Sequence, residues 1–178
     1  MSIQKDNTNH TGSRLGKLMI IGTWIIVLFM LTLFFDAQIA QMFNPNSAPS
    51  ATETDNGTRQ VVLQRNRSGH YIVSGFINNQ PVQFMVDTGA TDVAIPAALA
   101  DKLKLEHGNR IIYSTANGNV QGYTTRLDTV TIGNITLNNI RGGINPGMSE
   151  QVVLLGMSFL KQLEFTQRNQ TLILKHLP

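Results

Sequence analysis

The stretch Phe84-Met85-Val86-Asp87-Thr88-Gly89-Ala90-Thr91 decides how this chain reads. An apolar run drives into a single acid, and Thr-Gly follows at once. An ionised carboxylate at the end of a buried strand is costly unless it is paired or put to use. Alone the triplet is weak evidence, because a strand-end Asp also caps turns. Its surroundings carry more weight. Val93-Ala94-Ile95 resumes the apolar pattern, and Val152-Val153-Leu154-Leu155-Gly156 supplies a second apolar run that ends in glycine. Asp87 therefore reads as one half of a catalytic aspartate pair. No second Asp-Thr-Gly and no internal repeat occur in the chain.

Working outward, the flanks read as short strands punctuated by turns. Gln60–Arg65 and His70–Phe76 bracket Asn66-Arg67-Ser68-Gly69, a hairpin signal. Val82–Val86 follows the turn residues 77–81 and delivers Asp87. Pro96 suits the first turn of a helix over Ala97–Leu105, with Ala98, Leu99 and Leu103 on its apolar face. Arg110–Thr115 and Val120–Thr125 bracket Ala116-Asn117-Gly118-Asn119, where Asn-Gly is a strong hairpin signal. Leu127–Ile132, Ile135–Leu137 and Ile140–Ile144 read as three further strands. Val152–Leu155 reads as another, with a short helix over Met157–Gln162. Leu163–Thr166 and Thr171–Leu174 form a closing hairpin. Many short strands at this spacing argue an all-β barrel or sandwich with one or two short helices.

The N-terminal part reads differently. Residues 1–17 are polar and carry Lys5, Arg14 and Lys17. Residues 18–35 run without a charge, about 27 Å of helix, close to the hydrocarbon thickness of a bilayer. A buried core helix is rarely apolar on every face for this length. A cleaved signal peptide has a shorter apolar core and a small-x-small site, which Asp36-Ala37-Gln38 matches poorly. A single transmembrane anchor is the expectation. The basic residues ahead of it keep residues 1–17 in the cytoplasm and send the rest across. Residues 36–58 lack Lys and Arg, and Asn44–Thr58 is rich in turn formers, so 36–58 reads as a flexible linker.

Composition excludes several classes. A net charge of +3 with scattered basic residues gives no nucleic-acid footprint. Without cysteine there is no disulfide framework, thiolate nucleophile or zinc-thiolate site. His10, His70, His107 and His176 stand far apart, outside any His-Glu-x-x-His pattern. Neither a metal nor another cofactor is expected.

Asp87-Thr88-Gly89-Ala90, the hairpin at Asn117-Gly118 and Leu154-Leu155-Gly156-Met157-Ser158-Phe159-Leu160 together resemble the retropepsin-like aspartic peptidases, in particular bacterial membrane-anchored members. The resemblance covers residues 59–178, taken here as the protease domain. It implies a closed β-barrel working as a homodimer, with one catalytic Asp from each subunit. It also implies that Leu154, Leu155 and Gly156 pack under the active-site loop formed with Thr88 and Gly89. An extended peptide would lie between Ala90, Thr91 and Asp92 and a flap over Tyr113–Tyr123, its tip at Ala116, Asn117, Gly118 and Asn119. Retroviral relatives usually carry Asp where this chain has Thr91, and here Asp92 comes next. A bacterial source would make the space across the inner membrane the periplasm. Two other readings compete: a non-catalytic peptide-binding or dimerisation module on the same fold, and an unrelated tethered barrel.

Overall fold

The computed structural model describes residues 10–115, 118–149 and 151–178. They fall into two compact units, divided between Ala40 and Gln41. The first is formed by helix α1, His10–Phe43, whose last residues belong to the second. Its apolar side chains, among them Trp24, Ile25, Phe29 and Phe34, are exposed. Leu15–Phe43 is long and apolar enough to cross a membrane, and it contains the expected span 18–35.

The second unit, Gln41–Pro178, is β-rich and holds two sheets. The larger contains β3 (Ile72–Ile77), β4 (Gln80–Val86), β9 (Val152–Leu155), β5 (Val93–Pro96), β8 (Ile135–Asn145), β7 (Gly118–Ile132) and β6 (Arg110–Thr115), paired in that order. A further pairing of Phe76 with Thr131 and Ile77 with Val130 joins β3 back to β7. That contact closes six strands into a barrel, and only β6 projects beyond it. Closure is the β-sheet solution to unpaired edges. Phe84, Ile95, Leu127, Ile132, Ile140, Ile144 and Leu155 fill the interior. β9 is apolar without alternation because it lies inside the sheet between β4 and β5. The second sheet runs β1 (Ser50–Glu53), β2 (Arg59–Gln64), β11 (Thr171–His176) and β10 (Glu164–Arg168). It packs one face on the core through Val61, Leu63, Leu172 and Leu174. The short helices are α2 (Ala97–Lys102) and α3 (Met157–Leu160).

The all-β barrel expected from the sequence is thus the observed fold, but several local expectations need correction. Asn66–Gly69 is a tight turn, closed by the Asn66 N–H on the His70 carbonyl at 2.8 Å. It is not a hairpin: β2 and β3 leave it for different sheets. The three strands expected over 127–144 are parts of two long ones, since β7 runs unbroken and Asn138-Asn139 lies within β8. Asn139 takes a φ of 59° there, and its Oδ1 accepts from Arg126 Nη1 at 2.7 Å, so the side chain serves the strand instead of turning the chain. The inward residues here are Ala100 in α2 and Leu103 just after it, while Ala98 faces solvent.

The largest correction concerns the linker. Residues 44–53 are fastened to the barrel. Asn46 is buried, and its Nδ2 donates to the carbonyls of Gln64 at 2.9 Å and Ile72 at 2.7 Å. Its Oδ1 accepts the Gln64 N–H at 2.7 Å. Asn44 Oδ1 accepts the Asn46 N–H, and Asn66 Nδ2 donates to the Phe43 carbonyl. Ser50–Glu53 then pairs with β2. The amides that make Asn-Pro-Asn look like a disordered stretch are the same groups that can imitate backbone and bridge two strands.

Candidate active site

β4 ends by passing Asp87 into a loop. The Asp87 N–H donates to the Leu155 carbonyl at 3.2 Å, so β9 fixes where the acid leaves the barrel. The Gly89 N–H donates to Asp87 Oδ1 at 2.8 Å, and the Ala90 N–H to the Asp87 carbonyl at 3.3 Å. These bonds aim one carboxylate oxygen into the loop's own backbone. Asp87 is half-buried, whereas Thr88 and Gly89 are exposed. The acid sits at the rim of the unit rather than in its interior.

The loop is carried from below by the turn after β9. The Met157 N–H donates to the Ala90 carbonyl at 2.8 Å, and the Ser158 N–H to the Thr91 carbonyl at 2.9 Å. A side chain on Gly156 would place its Cβ 2.6 Å from the Ala90 oxygen and closer still to that of Asp92. Glycine is therefore required at 156 by close approach of two backbones. Leu155 is fully buried and Leu154 partly so, directly beside Val86 and Met85 in parallel register. Leu154, Leu155 and Gly156 thus lie in the strand and turn that hold this loop.

Other assignments come out differently. Asp92 is 9% exposed and turned inward, its Oδ1 accepting from Arg141 Nε at 2.6 Å. That carboxylate is committed to an ion pair, and the carbonyls of Ala90 and Thr91 are committed to Met157 and Ser158. Among the described residues, the Gly89 carbonyl and the Thr91 N–H remain without a partner in this loop.

The flap is a real hairpin: β6 pairs with β7 from Arg110↔Tyr123 to Thr115↔Gly118. Gly118, with a φ of 104°, and Asn119 begin its return strand and are exposed. Ala116 and Asn117 lie outside the described residues. Ile112 on the flap is 70% exposed.

Sequence reasoning gave three residues here no role of their own. Ser158 Oγ accepts the Val93 N–H at 3.1 Å and donates to the Arg141 carbonyl at 2.7 Å, tying β5 to β8 beneath the loop. Arg141 partners Asp92. Tyr113 lays its ring over Gly122 and Gly143, positions where any Cβ would collide with it. Its hydroxyl is buried and unpartnered among the described residues. Burial, and then the Asp92 carboxylate, push the Tyr113 pKa above its ordinary value, while Arg141 pulls the other way. Only the adjacency of Ser158 to Gly156-Met157 was a usable signal. Among the described residues, no group of three or more acidic or histidine side chains could hold a metal ion.

A closed barrel with an Asp-Thr-Gly loop at its rim, an apolar strand and glycine beneath it and a hairpin flap define a retropepsin-like aspartic protease fold. The chain belongs to that family: residues 73–162 match the family described as "gag-polyprotein putative aspartyl protease". A retropepsin-like aspartic protease from Rickettsia conorii is similar in structure, with 34% identity and a TM-score of 0.57. That match covers 72% of this chain and 95% of the other. An uncharacterised Sinorhizobium protein, encoded in a cobV 5′ region, is 33% identical over 69% of this chain and 54% of its own length. An uncharacterised protein of Rickettsia prowazekii is 34% identical over 59% and 46%. The chain spans about half the length of these curated relatives.

Proposed function

We infer that this protein is an aspartic endopeptidase that works as a homodimer, its two Asp87 carboxylates facing each other across a two-fold axis. The observation that carries this reading is the placement of Asp87: oriented by the Gly89 N–H, on a loop whose tip is exposed, in a chain with one Asp-Thr-Gly. Amide hydrolysis needs a water deprotonated as it attacks and a nitrogen protonated as it leaves. Two carboxylates held close share a proton, because both cannot ionise cheaply. The ionised member then serves as general base and the protonated one as general acid. One Asp cannot hold both roles, so a second copy supplies the other, and the pair titrates as a unit.

The Gly89 carbonyl and Thr91 N–H supply an acceptor and a donor for an extended peptide by strand addition. Exposed Ile112 on the flap offers apolar cover from above. Thr88, exposed beside the acid, would hydrogen-bond across the axis. α1 anchors the chain in the bacterial inner membrane with its N-terminus in the cytoplasm, so the barrel works in the periplasm. The test is cleavage of an unstructured peptide library by the detergent-solubilised chain and by its D87N variant. Turnover by the wild type alone is the expected result; equal turnover by both removes Asp87 from the chemistry.

A further inference from the structure

The chain enters the barrel at one identifiable end. Gln41–Phe43, the last residues of α1, already belong to the β-rich unit. Asn66 Nδ2 donates to the Phe43 carbonyl at 3.0 Å, and Asn44 Nδ2 donates to Ser74 Oγ at 3.0 Å. From there the chain runs parallel to β3, with Asn46 beside Val73. The entry point is therefore held against the turn 66–69 and the start of β3.

Asp87 leaves from that same end. β3 runs away from the entry point, from Ile72 to Ile77, and turns at Asn78-Asn79. β4 runs back from Gln80 to Val86, with Met85 opposite Ile72. The path from entry point to acid is short. The Phe43 carbonyl meets the Asn66 side chain, and the Asn66 N–H donates to the His70 carbonyl at 2.8 Å. The Val86 N–H then donates to the Tyr71 carbonyl at 2.9 Å, and Asp87 is the next residue. These steps put Asp87 within about 30 Å of Phe43. The turn at 78–79 stands about 20 Å away along the strands, at the opposite end of the hairpin.

A covalent link keeps the bilayer near the entry point. Residues 36–43 separate the charge-free run from it, and as helix they span about 12 Å. That reach holds at any angle between α1 and the barrel. The turn at the entry point carries Arg67 and follows Arg65, whose N–H donates to the Gln170 carbonyl at 2.8 Å. Arg168 precedes that second turn. None of the three forms an ion pair among the described residues, so their charge is available to headgroup phosphates.

We propose that the Asp87 site acts on membrane-tethered polypeptides, cutting extracytoplasmic segments close to where they leave the bilayer. This rests on the reading above, with Asp87 catalytic and α1 an anchor. A substrate held in the same membrane reaches Asp87 at high effective concentration when its tether matches the height of the site, and at low concentration when it does not.

The test uses the full-length chain in vesicles of phosphatidylethanolamine and phosphatidylglycerol. The native chain has no cysteine, so S68C at the entry end and Q80C at the far end each carry a single fluorophore. A quencher on the lipid headgroups should reduce S68C emission at least about threefold more than Q80C emission, given the ~20 Å between those ends. Two model substrates carry one sequence that the detergent-solubilised chain cleaves. One places it about 12 residues from a membrane-spanning helix, about 40 Å when extended. The other sets it beyond a proline-rich rod of about 30 residues, which adds about 90 Å. The near site should be cut at least about tenfold faster in vesicles, and both equally in detergent. Inserting the same rod after Ala40 of the enzyme should reverse the preference. Equal quenching at 68 and 80 overturns the placement, and near and far sites cut alike in vesicles overturn the substrate class. Lack of Asp87-dependent cleavage in detergent is a different failure: it removes the catalytic reading, and the substrate with it, while leaving the quenching contrast in place.

Discussion

Gly156→Ala is the sharpest probe of how the loop is held, because its cost follows from the geometry. The new Cβ would lie 2.6 Å from the Ala90 oxygen and closer still to that of Asp92, where ordinary contact begins near 3.4 Å, so the backbones must part by at least about 0.8 Å. The Met157 N–H to Ala90 carbonyl bond, now 2.8 Å, would stretch past hydrogen-bonding range, and Ser158 to Thr91 would follow. Two backbone hydrogen bonds contribute about 1 kcal/mol each. Forcing a methyl into a packed site adds about 1–3 kcal/mol. The sum, about 3–5 kcal/mol, is a large share of a domain stability of about 5–15 kcal/mol. Urea unfolding of the detergent-solubilised chain measures it. The only tryptophan, Trp24, lies in α1, so the barrel is followed by far-ultraviolet circular dichroism instead of indole fluorescence. Peptide cleavage should fall with it, since Ala90 lies three residues from Asp87. A G156A variant within about 0.5 kcal/mol of wild type, the range of an ordinary surface change, would refute the claim that this turn supports the loop.

Three further substitutions test other parts of the structure. Ser158→Ala leaves the Val93 N–H without its acceptor and should cost about 1–3 kcal/mol by the same unfolding measurement. Asn46→Ala removes the bridge between Gln64 and Ile72, and hydrogen exchange should accelerate at Gln64, whose N–H it satisfies. Unchanged exchange there would mean that residues 44–46 do not fasten the chain. Tyr113→Phe tests the buried phenol. Its raised pKa means that the folded chain holds this proton more tightly than the unfolded chain. That contribution is complete below the ordinary value of 10.0 and is lost as pH rises through the folded pKa. Stability difference curves between wild type and Y113F should therefore be flat at neutral pH and slope only in strong alkali.

The parts of this molecule legible in sequence are those fixed by local pattern. Strand alternation, the pairing of Arg110–Thr115 with the strand that starts at Gly118 and the run Val152–Leu155 each announce themselves within a few residues. Their number and spacing left a barrel or a sandwich open, and the resemblance to retropepsin-like peptidases implied the closed barrel. What escaped was decided by long-range pairing. Nothing local says that β2 and β3 part company after Asn66–Gly69, because a tight turn looks the same whether or not its arms pair. Nor does Asn44-Pro45-Asn46 reveal that its amides will meet Gln64 and Ile72. Asp92 was placed in the peptide groove because it follows Asp87-Thr88-Gly89 closely; its partner Arg141 is remote in sequence, so the ion pair could not be foreseen.

The central claim is that catalysis uses Asp87 from two chains, and subunit mixing tests it most directly. Wild-type chain is held at fixed amount in detergent above the dimer dissociation constant, and D87N chain is added and allowed to exchange. Mixed dimers would hold one aspartate and be inactive, so peptide cleavage per wild-type subunit should fall to about half at equal amounts and continue toward zero with excess. Cleavage that stays constant as D87N chain accumulates would contradict the account.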